Sequence, residues 1–251
     1  MKLISLNTWG GRGGIENLLA FFAAHSDVDI FCLQEVWHGG EEMIGVRAGG
    51  APLLGVRTTL LPEICEVLPS HTAYFRPHFK DYYGLALFVR SSMTVFEEGE
   101  LFVHEDRGWV SADDPGNHAR NIQYVTFKTE QGVQTVINFH GLWNGKGKGD
   151  AEERLLQSAN ILNFVSTLKN PFVVSGDFNL QPDTESLKML ENLPLRNLIR
   201  EYGVTSTRTS FYKKEERFAD YMFVSDGIEV ADFAVLPDEV SDHAPLFLEW
   251  R

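Results

Sequence analysis

Asp177 and Asn179 close an apolar run, "PFVVSGDFN", with two polar side chains where a strand would be expected to end quietly. Residues two apart in extended chain point the same way, so both would face one common point. The same punctuation recurs. "LISLN" ends at Asn7, "IFCLQE" at Glu35 and "TVINFH" at His140; "FAD" opens a strand at Asp220, and "VSDHAPL" sets Asp242 and His243 just before the last one. Taken singly, each has an ordinary reading: a turn asparagine, a helix or loop cap, a solvated strand end, a satisfied structural histidine. Together, at the ends of buried strands, they are the places where α/β scaffolds build sites.

The chemistry that needs this mixture is metal-assisted phosphoester hydrolysis. Carboxylate and carboxamide oxygens without thiolates suit a hard cation, Mg²⁺ or Mn²⁺. Glu35, with Asn7 or Asp242 beside it, would hold the ion, which would polarise the phosphoryl oxygens and stabilise the leaving oxyanion. Asp177 and Asn179 would orient and activate a water. His140 and His243 would neutralise charge or protonate the leaving group.

The elements that must position these residues alternate between helix and strand patterns. Strands are expected at "KLISLN", "DVDIFCLQEV", "YYGLALFVRS", "MTVFEEGELFVH", "RNIQYVTFKT", "VQTVINFHG", "PFVVSGDFN", "ADYMFVSD", "IEVADFAVL" and "APLFLEW", with a hairpin turn in "TEQGVQ". Helices are expected in "GGIENLLAFFAAHS", briefly near "EEMIGV", after Asp150 over "AEERLLQSANILNFVSTLK", and after Asp183 over "DTESLKMLENL". Asp150 followed by Glu153 predicts a capping box, and Leu155, Ala159, Leu162 and Val165 a buried stripe. βα units mixed with hairpins imply two mixed sheets face to face with helices outside, in one domain over residues 1–251.

The totals fit that picture. Of 251 residues, 43% are hydrophobic and 23% charged, enough for a sizeable core. The formal net charge of −13, from 22 Lys+Arg against 35 Asp+Glu, argues against avid non-specific DNA binding. Cys32 sits in an apolar run and reads as a small core residue; no disulfide with Cys65 is expected. No stretch reads as a signal peptide or membrane span, so a cytoplasmic location is expected.

The motifs "SLNTW", "LQEVW", "INFHG", "SGDFN", "ADYMFVS" and "SDHAPL", in this order over nearly the whole chain, resemble the endonuclease/exonuclease/phosphatase superfamily. That group includes deoxyribonuclease I, abasic-site endonucleases, inositol polyphosphate 5-phosphatases, neutral sphingomyelinases and tyrosyl-DNA phosphodiesterases. The resemblance implies a four-layer α/β/β/α sandwich with its site at one rim of the sheets. It implies Glu35 as main metal ligand helped by Asn7 and Asp242, Asp177 and Asn179 on the water, and His243 on the phosphate with Asp220 orienting it. It puts His140 on the leaving-group side, and Arg154 as either a structural or a phosphate-facing residue. The expected activity is that of a Mg²⁺- or Mn²⁺-dependent phosphoesterase. A DNA or RNA nuclease and a sphingomyelinase-like phosphodiesterase are the alternatives, and a binding module without catalysis ranks last.

"GLWNGKGKGD" follows His140 directly. Its glycines are conformationally free, and Lys146 and Lys148 add point charges. It reads either as a solvated loop or as a lid over an anionic substrate, with Trp143 as a stacking surface. Two lysines are too few for a long polyanion groove. The expected partner is therefore a small phosphorylated molecule or a short nucleic acid, bound by a monomer with no obligate protein partner.

Overall fold

The computed structural model describes residues 1–40, 47–48, 51–52, 54–192 and 195–251. The first half contains β1 (Lys2–Asn7), a 3-10 turn (Trp9–Gly11), α1 (Ile15–Ala24), β2 (Ile30–Trp37), β3 (Arg47–Ala48), β4 (Ala51–Pro52), α2 (Leu60–Val67), β5 (His71–Phe79), β6 (Tyr83–Arg90), β7 (Val95–His104) and β8 (Arg120–Thr129). The second half contains β9 (Gly132–His140), α3 (Glu152–Val165), β10 (Phe172–Asp177), α4 (Glu185–Glu191), β11 (Leu195–Asn197), α5 (Leu198–Glu201), β12 (Asp220–Ser225), β13 (Val230–Val235) and β14 (Leu246–Trp250).

Two six-stranded sheets form, ordered β13-β14-β1-β2-β6-β5 and β11-β12-β10-β9-β8-β7. Each has one parallel pair near its centre, β1 with β2 and β9 with β10; the other neighbours are antiparallel. A parallel pair brings two C-terminal strand ends to one rim. In register, Asn7 pairs with Gln34 and Asp177 with His140. An antiparallel neighbour begins where its partner ends, so β12 starts with Asp220 opposite Asp177. The residues before β14 arrive beside the end of β1 by the same logic.

Side-chain alternation builds the layers. Leu3, Ile30, Cys32, Leu87 and Val89 of the first sheet point toward the second and join its core. Their neighbours Ile4, Leu6, Phe31, Leu33 and Phe88 point outward and pack with Leu18 and Phe22 of α1 and Leu60 and Ile64 of α2. On the far side, Ile161 and Val165 of α3 and Leu187 and Leu190 of α4 join the second sheet. The four layers are thus helices, sheet, sheet, helices. Each fully buried Leu, Ile or Phe contributes about 1.5–3 kcal/mol of apolar burial.

The expected strands form, but the helix ends differ from expectation. Asp150 does not cap α3, which starts after Ala151 without a side-chain cap. Its carboxylate instead accepts from Glu185 N at 2.7 Å, Ser186 N at 2.9 Å and the Ser186 hydroxyl at 2.6 Å. It therefore caps α4, the role expected of Asp183. Capping boxes are local patterns, and this cap reaches across the chain. The buried face of α3 is also rotated: Arg154, Gln157, Ser158, Ile161 and Val165 are buried, while Leu155, Ala159 and Leu162 are only half-buried. Polar side chains occupy part of that face because they bind the loop preceding the helix. Gln157 Oε1, for instance, accepts from Leu142 N at 3.1 Å. β5 and α2 were not expected; β5 is an edge strand that carries Pro77 and is largely half-buried. The short helix expected at "EEMIGV" lies outside the described residues. Cys32 is buried, Cys65 exposed, and both are free.

Candidate active site

Glu35 reaches the rim through an irregularity in β2. The β2–β6 register shifts between Leu33 and Val36, and Glu35 takes φ +55°. That left-handed conformation is strained for a non-glycine residue. It is held in place because the Thr8 hydroxyl donates to both Gln34 O at 2.9 Å and Glu35 O at 3.1 Å. Gln34 turns inward and donates to Asn138 Oδ1 at 2.7 Å, which ties the two sheets beneath the site. The bulge thereby aims the Glu35 carboxylate into a cleft of about 400 Å³.

Asp177 and Asn179 meet by a different route from extended-chain alternation. Strand β10 ends at Asp177, and Asn179 turns into the left-handed region at φ +54°. Its amide nitrogen then donates to Asp177 Oδ1 at 2.8 Å. Gly176 lets the end of β10 lie close against β9, since a Cβ there would lie 1.9 Å from Phe139 O.

Asp177 is the hub. Its Oδ2 accepts from Asn7 Nδ2 at 2.9 Å and lies 3.7 Å from His140 Nε2 and 3.6 Å from His243 Nε2. Asn7 Nδ2 also donates to Glu35 Oε1 at 3.2 Å. The other nitrogen of His243, Nδ1, lies 2.8 and 2.9 Å from the two Asp220 oxygens, and Thr207 Oγ1 donates to Asp220 Oδ2 at 3.0 Å. Ser241 ties this corner to β1: its hydroxyl donates to Asn7 O at 2.7 Å and accepts from His243 N at 3.2 Å.

Charge follows from this packing. Burial and Arg208 act to lower the His243 pKa, but Asp220, Asp242 and Asp177 outweigh them and raise it. Burial would raise Asp177, yet His243, His140, Lys148 and Arg208 hold it below the usual carboxylate range. His140 is pushed well below its ordinary value by burial and then by Arg120. The centre therefore holds an aspartate anion and a neutral His140, with His243 shifted toward its protonated form. Burial, reinforced by Asp242, raises Glu35, while Arg12 opposes that shift.

The residues named from sequence are not all brought together. Glu35, His140, Trp143, Lys148, Asp177, Asn179, Asp242 and His243 line the cleft, with Asn7 and Asp220 bonded directly behind. Lys146 is exposed and does not line the cleft. Arg154 is buried and faces the chain itself: it donates to Gly149 O, to Gly147 O at 2.7 Å and to Leu142 O at 3.3 Å. It is a structural clamp on the backbone of the segment read as either a solvated loop or a lid. Lys148, two residues past Lys146, is buried, with Nζ 3.3 Å from Phe218 O. Sequence reasoning missed Arg12, His118, Arg120, Arg208 and Tyr212 in the cleft wall. Arg208 Nη1 reaches Asp242 Oδ2 at 3.4 Å and stacks over Tyr212 at 4.1 Å.

Two carboxylate groupings offer themselves to a cation. Asp177, Asp220 and His243 bring ligand atoms within 4.8 Å of one another. Those atoms already bind each other, Asn7, Thr207 and Asn179 N, which leaves little for an ion. Glu35 and Asp242 fit better. They repel each other electrostatically, and Asp242 Oδ1 is buried without a hydrogen-bond partner among the described residues. Two hard oxygen donors, each with only one guanidinium near it among the described residues (Arg12 at 3.9 Å from Glu35, Arg208 at 3.4 Å from Asp242), beside the Asn7 carboxamide, match the preferences of Mg²⁺ or Mn²⁺.

The Endonuclease/Exonuclease/phosphatase family model matches residues 4–243. The chain belongs to the endonuclease/exonuclease/phosphatase family. Solved structures share the fold of this family member. A mannosyl-6-phosphatase of Bacteroides thetaiotaomicron superimposes with TM-score 0.74 at 19% identity, over 100% of this chain and 99% of that one. The human Nocturnin catalytic domain gives 0.65 at 17%, over 100% and 94%. ANGEL2, a 2′,3′-cyclic phosphatase, gives 0.70 at 15%, over 99% and 94%. No curated protein sequence matches this family member.

Proposed function

We propose that this protein is a divalent-metal-dependent phosphoesterase acting on a compact phosphorylated molecule. The observation that carries the reading is the convergence of Asn7, His140, Asn179 and His243 on Asp177 at a cleft that also holds Glu35 and Asp242. Glu35 and Asp242, with Asn7, would hold Mg²⁺ or Mn²⁺. The bound cation would polarise the phosphoryl group and stabilise the leaving oxyanion.

The chain's own groups supply the rest. Asn179 donates one amide hydrogen to Gly141 O at 3.2 Å, which leaves its carbonyl oxygen to orient a water. Asp177 takes the water's proton. A carboxylate held this low is a weak base alone. An arriving phosphate draws His243 and Arg208 to itself, and Asp177 becomes more basic as the water reacts. His243, fixed by Asp220, presents Nε2–H to a phosphoryl oxygen. Neutral His140 stands on the other side of Asp177, in reach of the leaving group.

A cleft of about 400 Å³ suits a small ligand, and a net charge of −13 disfavours a long polyanion. The mannosyl-6-phosphatase among the structural neighbours supports a small phosphoester as substrate. The test is a panel with Mg²⁺: sugar and inositol phosphates, bis-p-nitrophenyl phosphate, sphingomyelin, RNA, abasic duplex and plasmid DNA. Turnover of the small esters without nicking of the plasmid is expected. Efficient plasmid cleavage that falls steeply with salt would replace this reading with a nuclease, and turnover confined to sphingomyelin would replace it with a phospholipid phosphodiesterase.

Lys148 adds a pH dependence. Burial and the nearby Arg208 pull its ammonium down to about 8, against Asp177, Asp220 and Asp242. Lys148 loses its charge as the pH rises through that value, so KM for an anionic substrate is expected to climb there. Lys148→Arg stays charged and should flatten the climb. A wild-type KM indifferent to pH across about 8 would remove Lys148 from substrate contact.

A further inference from the structure

Strand alternation would send Glu35 away from the cleft. In β2, Phe31 and Leu33 face the helices, while Ile30 and Cys32 face the second sheet. Gln34 continues the inward set by donating to Asn138 of β9. Position 35 should then turn outward beside Leu33, among apolar side chains. It does not, because β2 carries one extra residue there. From Leu33–Ala86 to Val36–Gly84, β2 advances three residues and β6 two. This is a β-bulge. Val36 joins the helix-facing cluster, and Glu35, at φ +55°, turns to the cleft instead. A left-handed glutamate persists only where its surroundings hold it.

The hold comes from Thr8, at the end of β1. Thr8 is fully buried and does not line the cleft, so it is out of reach of a substrate. It stands just before the 3-10 turn Trp9–Gly11, where threonine ordinarily caps with its side chain. Its hydroxyl makes no such cap bond. It turns back to β2 and shares its one hydrogen between Gln34 O at 2.9 Å and Glu35 O at 3.1 Å. Gln34 O has a second donor in Thr8 N at 3.0 Å. The contact to Glu35 O is therefore the one that reaches past the β1–β2 ladder into the bulge.

The direction of the carboxylate follows from this contact. Asn7, the residue before Thr8, donates from Nδ2 to Glu35 Oε1 at 3.2 Å. Asn7 and Thr8 thus grip Glu35 at both ends, one at the carboxylate and one at the backbone. Without the hydroxyl, a buried carbonyl is left short of a donor and the strained peptide is free to relax toward regular alternation. Such relaxation turns the carboxylate away from Asn7 and Asp242.

We propose that Thr8 is a positioning residue of the metal site: its hydroxyl latches the β2 bulge that aims Glu35 at the cation, and so sets the affinity for Mg²⁺ or Mn²⁺. The proposal rests on the metal site of the phosphoesterase reading, and ion binding measured without substrate tells the two apart. Mn²⁺ is titrated into each protein, and the EPR signal of the free ion gives the dissociation constant. Thr8→Val keeps the branched shape and loses the hydroxyl. It is expected to bind Mn²⁺ about 10- to 100-fold more weakly than wild type, the usual cost of removing a group that orients a metal ligand. Thr8→Ser restores the donor and should stay within about threefold of wild type. Circular dichroism and the thermal midpoint are the folding controls. If Thr8→Val does not fold, Thr8→Cys decides in its place; its thiol is a weak donor, and binding about three- to tenfold weaker than in Thr8→Ser is expected. Wild-type affinity in Thr8→Val, or in Thr8→Cys where that variant decides, overturns the proposal and leaves the metal reading standing. Equal losses in Thr8→Ser and the deciding variant also overturn it. A wild-type protein that binds no Mn²⁺ overturns the metal reading and the proposal with it.

Discussion

Asp177→Asn is expected to lower kcat by about three to four orders of magnitude, the upper range for removal of a general base, with the fold intact. Asparagine matches aspartate in shape and still offers an oxygen to Asn179 N, now 2.8 Å from Asp177 Oδ1. What disappears is the negative charge that His243, His140, Lys148 and Arg208 converge on, together with the oxygen that accepts from Asn7 Nδ2 at 2.9 Å. Those groups then face the substrate phosphate without competition, so KM should stay level or fall. A loss in kcat with no rise in KM marks an interaction made in the transition state. Steady-state kinetics with circular dichroism as the folding control measure both. Activity within tenfold of wild type, about 1.4 kcal/mol of barrier, would show that the water is activated elsewhere.

Glu35→Gln is expected to lower kcat/KM by about a thousandfold, the several kcal/mol that Lewis-acid stabilisation supplies. The substitution keeps the side chain's size but removes one of the two carboxylates whose repulsion a cation would relieve. Arg12 Nη2, 3.9 Å from Glu35 Oε2, would lose its partner and add positive charge where the ion should sit. The loss should shrink as Mg²⁺ is raised, since affinity is what the variant lacks. Titrating activity against Mg²⁺ for both proteins reads this directly. Superimposable titrations would take Glu35 out of the metal site and leave the Asp177, Asp220 and His243 grouping as the alternative.

The rim residues were legible in the sequence for a topological reason. Two parallel pairs, β1–β2 and β9–β10, collect C-terminal strand ends on one side, so Asn7, Glu35, His140 and Asp177 each interrupt an apolar run that stands out by itself. The rest of the cleft has no such signal. Arg208, Phe211, Tyr212, Lys213 and Lys214 come from an irregular segment between α5 and β12, without period or motif. Arg120 and His118 look like an ordinary strand start. Only the structure places them in the cleft wall, held by Pro115 O and His78. Lys146 and Lys148 are two residues apart in a glycine-rich run where no alternation applies. Arg154, on the following helix, holds the backbone that buries one and exposes the other. Asp150 was misassigned because a capping motif describes only the nearest helix, whereas its carboxylate caps one 35 residues further on.

The most direct measurement is phosphate release by the wild-type protein from small phosphoesters, first in EDTA and then after Mg²⁺ is restored. No turnover is expected in EDTA, and full recovery on adding Mg²⁺. Hydrolysis that continues unchanged in EDTA, or no release from any small phosphoester with Mg²⁺ present, would contradict it.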